Sequence, residues 1–495
     1  MTTLVATVLA AAVLPLPREA KFTGGCVRAP AVTETRDASL PAEGYRLTVD
    51  AKGVRIVVAD DRGAFYARKT LGQLTEGDGV RCCEIADHPE FPMRMVQIDD
   101  GRHFFGKAFV LRTLEWMAEF KLNTLHWHLC EDQGWRIQID SYPRLTTVGA
   151  TRSKTALRGH FTGVYDNRPY GPFFYTKDDI REVLKRAKEL HIDVIPEIEM
   201  PGHTRSILAA YPNLGCPKFP LDEQTCWPDW GICDDVVCAG NDDVLKFYCD
   251  VLDEVCALFP DSKIIHMGGD ECNAKHWSSC EKCRARMKAE GLKAPIELQG
   301  WLTDRIMDYL RKKGRTYMGY AACLETGSHL RPADCILMSG CGEQGAIHAA
   351  RGYRVVMGPT EYCYWDFNQG LADDPYVYGT WWAGSNPLNQ VFSFNPCAGV
   401  PKAARGNVLG GIGFNWSEYT YSPSELEWKL WPRAIGLAQA LWNPQSGYAY
   451  KERFIPALLP QIERMRRAGL NVAPAFNAHK CATTGGANVD NQAVD

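Results

Sequence analysis

The sequence predicts an α/β protein, a (β/α)8 TIM-type barrel preceded by a small α+β domain. Three observations carry this. From Arg94 onward, eight short apolar segments alternate with helical patterns. Before them, a hairpin and a helix form a separate unit that ends near Pro89–Pro92. Acidic, basic and aromatic residues recur just after most of the predicted strands, where a barrel builds its active site. At 495 residues the chain is too long for one small core. The boundaries read as 1–89 for the N-terminal region and small domain, 90–445 for the barrel, and 446–495 for a C-terminal helix and tail.

The elements follow in order. Tyr45–Asp50 alternates apolar and polar, Lys52-Gly53 supplies a turn, and Val54–Ala59 continues as an apolar strand. Phe65–Leu74 reads as a helix. The predicted barrel strands are Met95–Ile98, Thr124–His128, Asp193–Ile198, Ile264–Met267, Thr316–Gly319, Cys335–Met338, Val355–Gly358 and Val408–Gly411. Helices are predicted over Lys107–Phe120, Lys177–Leu190, Asp242–Phe259, Ile296–Lys313, Gln344–Arg351 and Ser424–Trp442. In Lys177–Leu190 the residues Ile180, Val183, Leu184, Ala187 and Leu190 share one face at the 3.6-residue period. The connection Cys323–Pro332 is too short for a full helix, so a doubly wound open sheet stands as the alternative.

Composition narrows the function. A formal net charge of −4 and the lack of a basic run give no signal for nucleic acid. No apolar stretch reaches the ~20 residues of a membrane span. The apolar segment Leu4–Leu16 reads either as a signal-peptide core, making the protein secreted or periplasmic, or as a first strand or a disordered lead into Pro15-Leu16-Pro17, making it cytoplasmic. Fourteen Trp and twenty Tyr fit sugar stacking, although large cores use the same residues. Nineteen Cys imply disulfides in an oxidising compartment, or buried thiols and a metal in a reducing one. The spacing Cys272-x3-His276-x3-Cys280-x2-Cys283 matches a closed structural zinc site, with a local disulfide or plain thiols on a helix start as the alternatives. A second group, Cys216, Cys226, Cys233 and Cys238, is open to either use.

The most informative run is Lys263-Ile264-Ile265-His266-Met267-Gly268-Gly269-Asp270-Glu271. An apolar strand ends in two glycines and two carboxylates. Glycine lets the backbone approach a ligand, and burial at a barrel mouth raises a carboxyl pKa. Two acids in one concave site suit proton transfer at a glycosidic oxygen. The plain alternative is a helix N-cap. Other strand ends supply Asp99 and Arg102, then Asp132, Glu199 and His203, then Tyr364 and Asp366, and finally Trp416 and Glu418.

Several ordered stretches together resemble the glycoside hydrolase family 20 β-N-acetylhexosaminidases. They are Ile98-Asp99-Asp100-Gly101-Arg102-His103-Phe104, Lys121–Leu129 leading to Asp132-Gln133-Gly134-Trp135, Pro196-Glu197-Ile198-Glu199-Met200-Pro201-Gly202-His203, His266–Glu271, and Trp416-Ser417-Glu418-Tyr419. The resemblance runs from about Leu14 to Pro444. It implies exo-cleavage of terminal β-linked N-acetylglucosamine or N-acetylgalactosamine from a glycan or glycoconjugate, with no cofactor for catalysis. It implies that the sugar's 2-acetamido oxygen is the nucleophile, an exception to the two-carboxylate scheme. By resemblance Glu271 is the acid and base, Asp270 holds the acetamido N–H, and Tyr364 aligns the acetamido oxygen. Arg102, Asp366 and Glu418 bind hydroxyls and Trp416 stacks on the sugar. Asp132 and His203 form a relay to Glu271, while His126, His128 and His266 are left as packing residues. The chain departs from the family where Tyr320 and Gly340 replace two pocket tryptophans, with Trp381 or Trp382 as candidate replacements. Those departures keep open a shifted N-acyl or sugar preference, beside the alternative of a weakly active or inactive carbohydrate-binding barrel.

Overall fold

A computed structural model describes residues 13–157, 163–217, 225–370, 374–376, 384–445 and 447–475. Eight parallel strands close into a barrel: Met93–Asp99, Thr124–His128, Asp193–Glu197, Ile264–His266, Thr316–Tyr320, Cys335–Ser339, Arg354–Met357 and Val408–Gly413. Closure is made by the last strand pairing with the first, Gly410 opposite Met93 and Gly413 opposite Val96. The open-sheet alternative is thereby removed. The short connection after the fifth strand holds a 3-10 turn, Ala321–Thr326, in place of a full helix.

Strand register explains how the site is assembled. Asp99 lies opposite His128, His128 opposite Glu197, and Glu197 opposite His266. Four polar residues from four strands therefore share one level of the C-terminal rim. Side chains alternate along a strand, so His126 and His128 face the interior while Trp127 packs outward on Tyr175, ring centroids 4.7 Å apart. Trp127 Nε1 also donates to Asp100 at 2.8 Å.

The predicted helix Ser424–Trp442 is two helices, Pro423–Leu430 and Arg433–Trp442, separated at Trp431-Pro432. Pro432 lacks the N–H a continuous helix needs and its ring clashes with the preceding turn. Helix Lys177–Glu189 carries a capping box, with Thr176 and Asp179 each accepting from the other's backbone.

The small domain is a six-stranded sheet with one covering helix, Asp61–Gln73. Its strands Glu19–Arg28, Val32–Arg36 and Gly79–Asp87 were not legible as strands. The first two are exposed along nearly their whole length, so they lack the apolar alternation that marks a half-buried strand. The domain is locked to the barrel by Trp442, fully buried, which donates from Nε1 to Asp87 at 2.9 Å. Arg94 and Lys121 stand over the Trp442 ring at 5.0 and 4.4 Å. Val13, Leu14 and Leu16 are buried, and the Leu14 N–H donates to Gln73; the rest of the Leu4–Leu16 segment, up to residue 12, lies outside the described residues. Among the described residues no helix is long and apolar enough to cross a membrane. The C-terminal helix is Ile455–Arg467, and the tail from 476 on lies outside the described residues.

Candidate active site

The site sits on the C-terminal rim and is built on a buried ionic floor. Glu197, at the end of the third barrel strand, is fully buried. One of its carboxylate oxygens lies 2.9 Å from His126 Nε2 and in close contact with His128 Nδ1; the other lies 2.7 Å from His266 Nδ1. Burial alone would raise this carboxyl, but His128, His266 and His126 outweigh it and hold it well below the carboxylate range. The three histidines are thus polar partners of Glu197 rather than packing residues. Burial presses His126 down to about 4, whereas Glu197 and Glu131 overcome burial and hold His128 well above the usual imidazole range.

Glu131 is a central residue whose role the sequence did not reveal. It leaves the second strand in a two-residue ladder with Gly134–Trp135. Its carboxylate lies 2.8 Å from Arg102 Nη2 and 3.1 Å from His203 Nδ1. Burial opposes its ionisation, but Arg102 and His203 keep it well below the usual range. The only signal was its place beside Asp132 in a recognised stretch.

His203 joins this floor to the acid pair. Nδ1 lies 3.4 Å from Asp132, while Nε2 lies 3.6 Å from Glu271 and 3.9 Å from Asp270. The relay therefore has two carboxylates behind the imidazole, with Glu131 nearer than Asp132. Burial would lower His203, but Glu131, Asp132 and Asp270 raise it well above the usual range. The Arg205 N–H donates to Asp132 at 2.9 Å and fixes the second carboxylate.

Asp270 and Glu271 follow the fourth strand through Gly268 and Gly269, at φ +60° and +101°. A Cβ on Gly268 would fall 1.7 Å from Glu199 Oε2, so glycine is required there twice over. Glu271 and His203 are themselves in the left-handed region, at φ +48° and +52°. Such conformations persist only where the surrounding structure enforces them. The side chain of Asp270 is 30% exposed and that of Glu271 47%, so both reach the mouth. Burial pushes Asp270 up to about 6; His203 opposes this and Glu271 adds to it. Glu199 lies deeper, and burial next to Glu197 and Asp270 raises it well above the usual range.

The opposite side of the mouth is built from the first, seventh and eighth strands. Arg102 lies 3.0 Å from Asp99 and 3.4 Å from Glu418, and its guanidinium stands 5.1 Å over the Trp416 ring. Ser417 stitches the loops, donating from N to Asp99 Oδ2 and from Oγ to Asp99 O. Asp366 is pushed up to about 7, mainly by burial and then by Glu418. Trp416 stacks on Phe414 at 5.4 Å. The rings of Tyr320 and Tyr364 both stand 6.3 Å from Trp416. A Cβ on Gly340 would meet the Tyr364 hydroxyl at 2.9 Å, so that phenol covers the place where a tryptophan was expected. Trp381 and Trp382 lie outside the described residues.

The predicted zinc ligands do not come together as one set. Cys280 and Cys283 are joined by Cys216 and Cys238, not by Cys272 and His276. Cys272 directly follows the acid pair, where its backbone packs against Gly202. His276 turns to Asp235, 3.5 Å away. The residues between Cys272 and Cys280 form turns rather than helix, so regular spacing did not bring those four side chains to one point. Every described cysteine is a free thiol.

A closed barrel whose rim gathers paired carboxylates, an arginine and stacked aromatics has the architecture of a glycoside-processing hydrolase. Comparison with known proteins specifies it further. The catalytic-domain profile of glycosyl hydrolase family 20 matches residues 91–445, and domain 2 of that family matches residues 3–88. The chain belongs to glycosyl hydrolase family 20. A β-hexosaminidase of Porphyromonas gingivalis is 39% identical over 82% of this chain and 52% of its own length. One from Vibrio furnissii is 34% identical over 81% of this chain and 65% of its own length. The chain thus spans about half to two-thirds of these relatives. The solved exo β-N-acetylglucosaminidase of Vibrio harveyi, in complex with N-acetylglucosamine, superposes with a TM-score of 0.83 at 27% identity. That match covers 94% of this chain and 79% of the other.

Proposed function

We propose that this chain removes terminal, non-reducing β-linked N-acetylhexosamine by a retaining, substrate-assisted reaction. One observation carries the reading: the carboxyls of Asp270 and Glu271 converge on a single imidazole nitrogen, 3.9 and 3.6 Å from His203 Nε2. Two adjacent acids that share one imidazole act from the same side of the scissile bond, which suits an acid beside a stabilising carboxylate rather than an opposed acid and nucleophile. The substrate's acetamido oxygen supplies the nucleophile, as is recorded for this family.

In the first step Glu271 gives its proton to the glycosidic oxygen. The C1–O bond breaks with its electron pair on that oxygen, and the acetamido oxygen bonds to C1. Positive charge develops on the acetamido nitrogen, and ionised Asp270 accepts its N–H and stabilises that charge. Tyr364 donates to the acetamido oxygen and aims it at C1. In the second step Glu271, now a carboxylate, takes a proton from water, which attacks C1 and reopens the ring. Two inversions give net retention. Arg102, Asp366 and Glu418 hold hydroxyls at the closed end, and Trp416 stacks under the ring. Asp132, Glu131 and His203 are positioning residues that act on the acid pair from behind.

The test is release of 4-nitrophenol from the N-acetyl-β-glucosaminide and galactosaminide. Glu271→Gln should lower kcat by about 100-fold or more, the scale of losing a general acid. A thiazoline mimic of the cyclic intermediate should bind far more tightly than the free sugar. Equal rates on a plain β-glucoside would point to a protein nucleophile and remove the substrate-assisted scheme.

A further inference from the structure

We propose that Cys216, Cys238, Cys280 and Cys283 bind one zinc ion in a tetrahedral tetrathiolate site that ties the two main active-site loops together. Four sulfurs from three separate segments converge, all within 4.8 Å of one another. The Cys238–Cys283 and Cys238–Cys280 sulfurs are 3.5 and 3.7 Å apart. Zinc–sulfur bonds of about 2.3 Å place tetrahedral sulfurs about 3.8 Å apart. Disulfide sulfurs lie at about 2.05 Å, so the same positions do not describe two disulfides.

The surroundings fit a metal-thiolate centre. All four cysteines are buried, in an apolar cluster with Val236, Trp277 and Leu298. Gly240 is pressed so closely on the Cys280-x2-Cys283 turn that a Cβ would fall 2.3 Å from Cys283 N. Cys280 is the N-cap of helix Glu281–Glu290, whose positive end faces the thiolate charge. Four protein ligands leave no open position, so the ion is structural rather than catalytic. Binding releases the four thiol protons to solvent.

The placement gives the site a purpose. Cys216 and Cys238 belong to the long segment between the third and fourth barrel strands, which also carries His203. Cys280 and Cys283 follow the fourth-strand loop that carries Asp270 and Glu271. The two loops already touch, since a Cβ on Gly202 would lie 3.1 Å from Asp270 O. The ion would hold them in one arrangement. This inference does not depend on the proposed activity.

The experiment uses the full chain purified under reducing conditions and incubated with equimolar zinc, with metal read by mass spectrometry. About one zinc per chain is expected, falling to below about one-fifth in Cys238→Ser and Cys283→Ser but not in Cys272→Ser or His276→Ala. Cobalt(II) in the wild-type chain should give sulfur-to-metal charge transfer and the strong visible bands of a tetrahedral tetrathiolate. That spectrum decides the ligand set even if a variant fails to fold. Zinc below one-fifth per chain, a disulfide within the four, or a cobalt spectrum with fewer than four thiolates would overturn the proposal.

Discussion

Asp270 is the residue at which pH should act first. Its carboxyl is pushed up to about 6 by burial, and the proposed step needs it ionised. Protonation removes the acceptor for the acetamido N–H, so kcat/KM should fall as pH drops through about 6. In Asp270→Asn the residual activity should lose that limb. A wild-type limb near pH 4, the ordinary carboxyl value, would assign the dependence to another group. The aromatic wall gives a second expectation at this scale. With the Tyr364 hydroxyl covering Gly340 but Tyr320 standing in place of a tryptophan, an N-propionyl substrate should lose less than about tenfold in kcat/KM relative to N-acetyl. A steeper fall at the first added carbon would mean that other residues close the pocket.

Glu197 shows how the same physics governs stability. Removing one partner of a buried ion pair leaves the rest uncompensated, so Glu197→Gln should lower the unfolding free energy by about 3–5 kcal/mol in urea titration. The sign with pH follows from its lowered carboxyl. Stability from this group is fully present above its unfolded value of about 4.3 and is lost as pH falls below it. Wild type should therefore lose more stability than Glu197→Gln as pH falls from about 4.3 to the lowest pH at which both remain folded; parallel curves would show that Glu197 does not carry the effect.

Among the elements, the turn after the fourth strand is the most constrained. Gly268→Ala must accommodate a left-handed φ of +60° and a Cβ 1.7 Å from the Glu199 carboxylate. The backbone contribution alone is about 1–3 kcal/mol, and relief of the contact must move either Glu199 or the acid pair. We expect a lower Tm together with loss of most kcat, read by thermal unfolding and steady-state assay. Wild-type kinetics in this variant would show that the acid pair tolerates displacement. The barrel strands themselves were legible because a buried parallel strand is a short apolar run between polar turns. Helix ends were legible within a few residues except at Pro432, which cuts one predicted helix in two. The strands Glu19–Arg28 and Val32–Arg36 escaped because both faces are exposed and no periodic pattern marks them.

For the whole molecule, the join between small domain and barrel passes through Trp442. Its ring touches Tyr66 edge-on at 5.2 Å and lies under both Arg94 and Lys121. Trp442→Ala should cost about 3–5 kcal/mol, as for other buried aromatic truncations, and should split or broaden the unfolding transition in urea. A single unchanged transition would place the coupling elsewhere.

Reading the chain alone determined the barrel, its order of strands and most of the polar residues gathered on its rim. These depend on local signals: apolar runs, turn glycines, and short motifs that keep their spacing. Asp270, Glu271, His203, Arg102, Trp416 and Glu418 each sit just past a strand end, and the rim gathers them. Tertiary structure alone decided what stands behind them. Glu131 and Glu197 became centres of charge because register sets four strands at one level and brings Arg102 and four histidines around two carboxylates. The cysteine cluster changed for the same reason. Cys280 and Cys283 are neighbours along the chain, but Cys216 and Cys238 reach them only because a long segment folds back over the fourth-strand loop. Sequence spacing reports which side chains share a turn or a face, whereas partners separated by tens of residues are chosen by packing.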